Sequence, residues 1–194
     1  ALRLRYTFNN NTNIWGWGIY GEDKTKGWEI VPGKKGSGEF GGRLQLPLPA
    51  GEIGFSGHSR IAVWDKETGA TPATAGIAEF RENRLGLDGF FDLGIGFWFE
   101  TAVIHRDLQS DQQSFLPMWD TYITTGADYT VACGNGLYLM TEHLIRQSSD
   151  QPFMAEYSYH LSGFSASYPL NFLDEIRFYH FYDWEQKTLF NYLS

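Results

Sequence analysis

The chain has 194 residues, 17% of them aromatic, with 22 glycines against 7 prolines and a formal net charge of −8. That acidic balance argues against a nucleic-acid partner, since neutralising phosphates needs a basic face. The length suits one domain, the single cysteine, Cys133, has no partner for an internal disulfide, and no apolar run approaches the ~20 residues of a membrane helix.

Period-two alternation runs from end to end, and helical spacing is nearly absent. Residues 2–8 set Leu2, Leu4, Tyr6 and Phe8 against Arg3, Arg5 and Thr7. Their apolar stretch is too short for a signal peptide. The Asn-rich stretch 9–13 turns the chain into a strand at 14–20, and a short segment near 27–32 precedes a Gly- and Lys-rich turn at 33–38. Residues 39–48 oppose Leu44, Leu46 and Leu48 to Arg43 and Gln45, and a tight turn at 49–51 leads into 52–64. A polar loop at 65–76 separates that strand from a pair at 78–91 and 95–107, joined at 92–94. After a second polar loop near 108–117, strands follow at 118–131, 137–147, 153–164 and 174–184. The stretch 165–173 reads as irregular or briefly helical, and 188–194 as a strand that has only begun. The expectation is about eleven strands and the start of a twelfth, in one domain spanning 1–194 whose C-terminal strand is incomplete. Short turns tend to alternate with longer loops, as in up-and-down barrels with a tight and a loose rim.

Strand after strand pairs an apolar face with a face holding both acids and bases. In 52–64, Ile53, Phe55, Gly57, Ile61 and Val63 oppose Glu52, Ser56, His58 and Arg60. Leu85, Leu87 and Phe91 oppose Glu82, Arg84 and Asp88; Ile95, Phe97, Phe99 and Val103 oppose Glu100 and Arg106. Leu137, Leu139 and Ile145 oppose Glu142 and Arg146, and Phe153, Tyr157, Tyr159 and Leu161 oppose Glu156, Ser158, His160 and Ser162. Strands of this length exceed the ~5–6 residues usual in soluble sheets and match the ~9–11 that cross a bilayer at a tilt. Trp15, Trp17, Trp28, Trp64, Trp119, Tyr122, Tyr168 and Trp184 cluster near strand ends, as interfacial girdles do.

The runs Glu82-Asn-Arg-Leu-Gly-Leu-Asp-Gly and Asp92-Leu-Gly-Ile-Gly-Phe-Trp-Phe-Glu resemble hairpins of bacterial outer-membrane porin-like proteins. Gly126-Ala-Asp-Tyr-Thr and Gly134-Asn-Gly-Leu-Tyr-Leu-Met-Thr-Glu are similar in texture. The resemblance implies an all-β, antiparallel transmembrane barrel of about twelve strands in the bacterial outer membrane. It further implies a passive pore for small polar solutes or a structural part of an envelope assembly, with the lipid bilayer as partner and no cofactor. On that reading Arg43, Glu52, His58, Arg60, Arg84, Asp88, Glu100, Arg106, Glu142, Arg146 and Glu156 line the lumen, and the mixture of signs predicts weak ion selectivity. The partners this reading implies beyond the bilayer are small polar solutes and either a second copy in a homo-oligomer or a larger envelope assembly. The alternative is a soluble β-sandwich or jelly roll that binds or cleaves carbohydrate, with exposed Trp and Tyr stacked on sugar rings.

No catalytic constellation or metal site is legible. Glu142 and His143 are adjacent on one strand and point to opposite faces, as do Glu100 and His105. His58 with Arg60, Glu156 with His160, and the set Glu82, Arg84 and Asp88 each share a face; ion pairs lining a barrel account for them better than a sugar or anion site. The Gly134-Asn-Gly136 turn precedes no helix and is a hairpin turn, not a phosphate loop.

Overall fold

Alternation and turn chemistry together produce a single meander. The computed structural model describes residues 1–20, 23–25, 29–65, 77–109, 116–152 and 154–194. Its strands are β1 (Leu2–Thr7), β2 (Asn13–Tyr20), β3 (Gly38–Leu48), β4 (Gly51–Asp65), β5 (Ile77–Asp92), β6 (Gly96–Arg106), β7 (Trp119–Val131), β8 (Leu137–Ser149), β9 (Tyr157–Pro169), β10 (Glu175–Asp183) and β11 (Thr188–Leu193). Each pairs antiparallel with its sequence neighbours, giving one up-and-down sheet in the order β1 to β11. The sheet is open: β1 and β11 each have a strand on one side only.

Consecutive connections of a meander fall on opposite rims. Those after β1, β3, β5, β7 and β9 are tight, including 49–50 and 93–95, whereas those after β2, β4 and β6 span 21–37, 66–76 and 107–118. In the 93–95 turn Gly94 sits at a φ of 87°, a left-handed conformation that costs a residue without Cβ little.

Three sequence expectations change. The segment near 27–32 is not a strand in its described part; Gly33 forms only an isolated bridge with Ala62. Strand β9 runs through Pro169, because Ser165 and Ser167 pair with Met140 and Tyr138 and need no apolar side chain to hold register. The irregular stretch therefore shrinks to the turn 170–174. Finally, 188–194 contains a formed strand, β11, and the described strands number eleven in an open sheet rather than twelve in a closed one.

The buried apolar cluster is small: Val31, Ala62, Phe80, Leu108 and Leu116, with Trp64 and Met118 packed against it. Val31, Leu108 and Leu116 come from the long connections, so the cluster sits at the long-loop end, on the same face of the sheet as Arg60 and Glu82.

Candidate functional site

Residues directly opposite in antiparallel strands project to the same side, so the ladder places every side chain. One face carries successive rungs. The first is Arg60, Glu82 and Arg106; the second is His58, Arg84, Ile104, Asp120 and Ser148. Next come Arg43, Ser56, Gly86, Ala102, Tyr122 and Arg146, followed by Gly54, Asp88, Glu100, Thr124 and Leu144. The last is Glu52, Phe90, Trp98, Gly126 and Glu142. Ten of the eleven lumen candidates read from the sequence thus share one face. Glu156 is the exception: it precedes β9, is exposed, and its N–H donates to the Ser148 carbonyl at 3.1 Å. The pairing Arg146 with Tyr159 also places Tyr157, Tyr159 and Leu161 on the charged side, and His160 on the other. The face assignment within β9 is therefore the reverse of the one expected from its polarity.

The first two rungs are knitted into one ionic network. Glu82 accepts from Arg60 Nε at 2.9 Å, Arg84 Nη2 at 2.6 Å and Arg106 Nε at 3.2 Å. Arg106 Nη1 reaches Asp120 Oδ2 at 2.7 Å, and Arg146 Nη2 reaches the other Asp120 oxygen at 3.3 Å. From the long connection before β3, Glu29 bridges Arg60 at 3.0 Å and Arg84 at 2.7 Å, while Arg60 Nη2 donates to the Val31 carbonyl at 2.8 Å. A fully buried carboxylate is tolerable only when its charge and lone pairs are matched this completely. Beside the network, Trp17 Nε1 donates to His58 Nδ1 at 3.1 Å, and His58 Nε2 lies 3.3 Å from Glu39.

Below the network the rungs turn small. Ser56, Gly86 and Ala102 leave a cavity of about 680 Å³ lined by Arg43, Asp88, Glu100, Tyr122, Thr124 and Leu144 among others. One cavity lined from β3 to β8 requires the sheet to curl, so this face is concave. Arg43 stretches across β4 to pair with Asp88 through both guanidinium nitrogens, the Nη2 contact measuring 2.7 Å. Gly54 leaves the space through which Arg43 crosses: a Cβ there would meet the guanidinium and displace it from this path.

The opposite, convex face carries Leu2, Leu4 and Tyr6, Phe55, Leu85, Phe97, Tyr129, Phe164, Ile176 and Leu189, all exposed. At its short-turn edge, Tyr6, Phe8, Phe91, Phe97, Tyr129 and Tyr168 lie near strand ends. The aromatic girdle drawn from the sequence is thus partly misplaced. Trp15, Trp17, Trp64 and Tyr122 belong to the concave side, Trp119, Tyr168 and Trp184 to the convex, and Trp28 lies outside the described residues.

Sequence reasoning passed over one polar chain on the convex face. Ser158 Oγ and His160 Nε2 are 2.8 Å apart, His160 and His143 are 3.4 Å apart, and His143 Nδ1 is 2.9 Å from Ser162 Oγ. Trp184 Nε1 donates to the same Ser162 hydroxyl at 2.8 Å. His143 and His160 are well separated in sequence; the β8–β9 register is what brings them together. Among the described residues no group of three or more His, Cys, Asp or Glu side chains is placed to hold a metal ion. Comparison of the chain with family models, curated proteins and solved structures found no match.

Proposed function

We propose that this chain forms the wall of a membrane β-barrel of the outer-membrane type, whose wet, charged interior admits small polar solutes. The observation that carries the reading is the inversion of the two faces. Glu82 and Arg106 are each 1% exposed and Asp120 is 0%, whereas Leu85 is 68% exposed and Phe55 45%. A water-soluble sheet buries its apolar face and hydrates its charges; a lipid-facing barrel does the reverse. The strand lengths agree, with 13 residues in each of β7, β8 and β9, 15 in β4 and 16 in β5. The tight rim, the loose rim and the convex aromatics near strand ends support the same reading.

The cavity gives the pore its chemistry. Arg43 and Asp88 compensate each other at its wall, and Glu100, Tyr122 and Thr124 offer hydrogen-bonding groups to a passing hydroxyl or amide. A carbohydrate-cleaving soluble sheet would need its exposed convex face covered by a second layer, and the described residues form one sheet.

The decisive experiment is folding the chain from urea in the presence of lipid vesicles, followed by flotation and solute release. The expected result is co-flotation and leakage of a small sugar with retention of a large dextran. A chain that folds and stays in the aqueous fraction overturns the proposal.

Selectivity offers a finer test. Each partner of the Arg43–Asp88 pair masks the other, so removing one charge leaves the other facing the lumen. Asp88→Asn is expected to move the reversal potential in a salt gradient toward anion preference, and Arg43→Gln toward cation preference. Identical reversal potentials for the two variants would place the pair away from the ion path.

A further inference from the structure

At the level of the cavity one rung runs, strand by strand, Asp88 on β5, Glu100 on β6, Thr124 on β7 and Leu144 on β8. All four line the cavity, and the wall passes from charged to apolar along them. Asp88 is neutralised by Arg43, which meets it through both guanidinium nitrogens. Glu100 is exposed to the cavity and, among the described residues, forms no ion pair. Resting on the reading of this face as a wet lumen, we propose that the cavity binds a small primary ammonium ion carrying a short hydrocarbon chain. Its ammonium group sits against Glu100 and Thr124, and its chain lies toward Leu144.

The sign of the ligand follows from how the charges of this face are paired. The concave side of β3 to β8 carries five arginines, and carboxylates hold every one. Arg43 is held by Asp88, Arg60 and Arg84 by Glu29 and Glu82, Arg106 by Glu82 and Asp120, and Arg146 by Asp120. No arginine on these strands is left to oppose Glu100. On the next rung toward the short turns, Glu52 accepts only from the Gln45 amide, and Glu142 forms no ion pair among the described residues. The field across the cavity therefore favours a positive charge.

The ladder also sets the ligand's shape. Glu100 and Thr124 are directly paired, so a carboxylate and a hydroxyl stand side by side as acceptors for a group that has three donors. Neighbouring strands are about 4.8 Å apart, so Leu144 lies one such spacing beyond Thr124, which a chain of about four carbons covers. Other classes fit less well. A carboxylate ligand would meet Glu100 with Arg43 already engaged by Asp88. A divalent metal ion of the hard type asks for about six to eight oxygens, many of them charged, and has no use for Leu144 and Ala102. A neutral alcohol leaves the Glu100 charge unmatched. The cavity, at about 680 Å³, is of the size that small-molecule sites have.

The test is equilibrium dialysis of radiolabelled butylammonium against the chain folded in neutral detergent micelles. Expected are one saturable site per chain and at least about tenfold weaker competition by butanol and by butyrate. Glu100→Gln keeps the shape and removes the charge, and is expected to weaken binding at least about tenfold. Arg43→Gln acts in the opposite sense: it frees Asp88 as a second unpaired carboxylate, and is expected to tighten binding at least about threefold. Leu144→Ala is expected to weaken butylammonium at least about threefold and to leave methylammonium unchanged. Circular dichroism confirms that each variant remains folded, and a structural role for these side chains would not produce changes of opposite sign. A chain that floats with vesicles yet does not bind, or whose binding is matched by butanol, indifferent to Glu100→Gln or weakened by Arg43→Gln, overturns the cavity assignment and leaves the barrel reading intact. A chain that binds butylammonium with the expected dependences and fails to float does the converse.

Discussion

Glu82→Gln is expected to destabilise the folded chain by about 3–5 kcal/mol, read as a fall in the urea midpoint measured in micelles. Glu82 accepts hydrogen bonds from three guanidinium groups in a site that excludes solvent. An amide of the same shape keeps the volume, removes the charge and presents an N–H toward a donor. Of the three arginines, Arg84 and Arg60 retain Glu29, and Arg106 retains Asp120. The double variant Glu82→Met/Arg60→Met removes a carboxylate and one of its partners together, leaving a carboxylate for each remaining guanidinium. It is expected to cost less than the single change, because a broken buried pair is worse than an absent one. Glu100→Gln on the same face supplies the control: its side chain is exposed to the cavity, and the loss expected is about 1 kcal/mol or less. A Glu82→Gln loss as small as that of Glu100→Gln would mean that the network is ornamental to stability.

The strand order and the identity of the two faces were legible because period-two alternation is strong in β3 to β6, where a charge on one face is followed by a leucine or phenylalanine on the other. Where the pattern rests on small or mixed residues, the reading slipped. In β9, Ser165 and Ser167 carry no hydrophobic signal, and Tyr157, Tyr159 and Leu161 look apolar although the ladder with Arg146 turns them to the charged side. Tryptophan misled for a related reason: a large aromatic near a strand end suggests an interface, but parity places Trp15 and Trp17 on the concave side, where Trp17 meets His58. The charged residues could be assigned to a face, yet not to partners. Glu29 joins the network from a connection that shows no alternation, and Arg43 reaches Asp88 over an intervening strand because position 54 is glycine. Neither link has a sequence period to reveal it.

Leu85→Arg separates the environments that the convex face could meet. Leu85 lies in the middle of β5 beside Gly57 and Val103, and its side chain is 68% exposed. In water, an arginine at such an exposed site changes stability by no more than about 0.5 kcal/mol. Facing the hydrocarbon, the same arginine costs about 2–4 kcal/mol near the bilayer midplane. Along β5 the convex positions pass from Glu79, Arg81 and Asn83 to Leu85, Leu87, Gly89 and Phe91, so the strand carries its own boundary between charged and apolar surface. Arg81→Leu, on the charged side of that boundary, is the matched control and is expected to leave vesicle insertion unchanged. The measurement is the urea dependence of folding into vesicles, with the fraction recovered by flotation as a second reading. A Leu85→Arg variant that folds and floats as the parent does would remove the convex face from lipid. The expected deficit, present in vesicles and absent at Arg81, ties the inverted pattern of exposed leucine and buried glutamate to the medium that requires it.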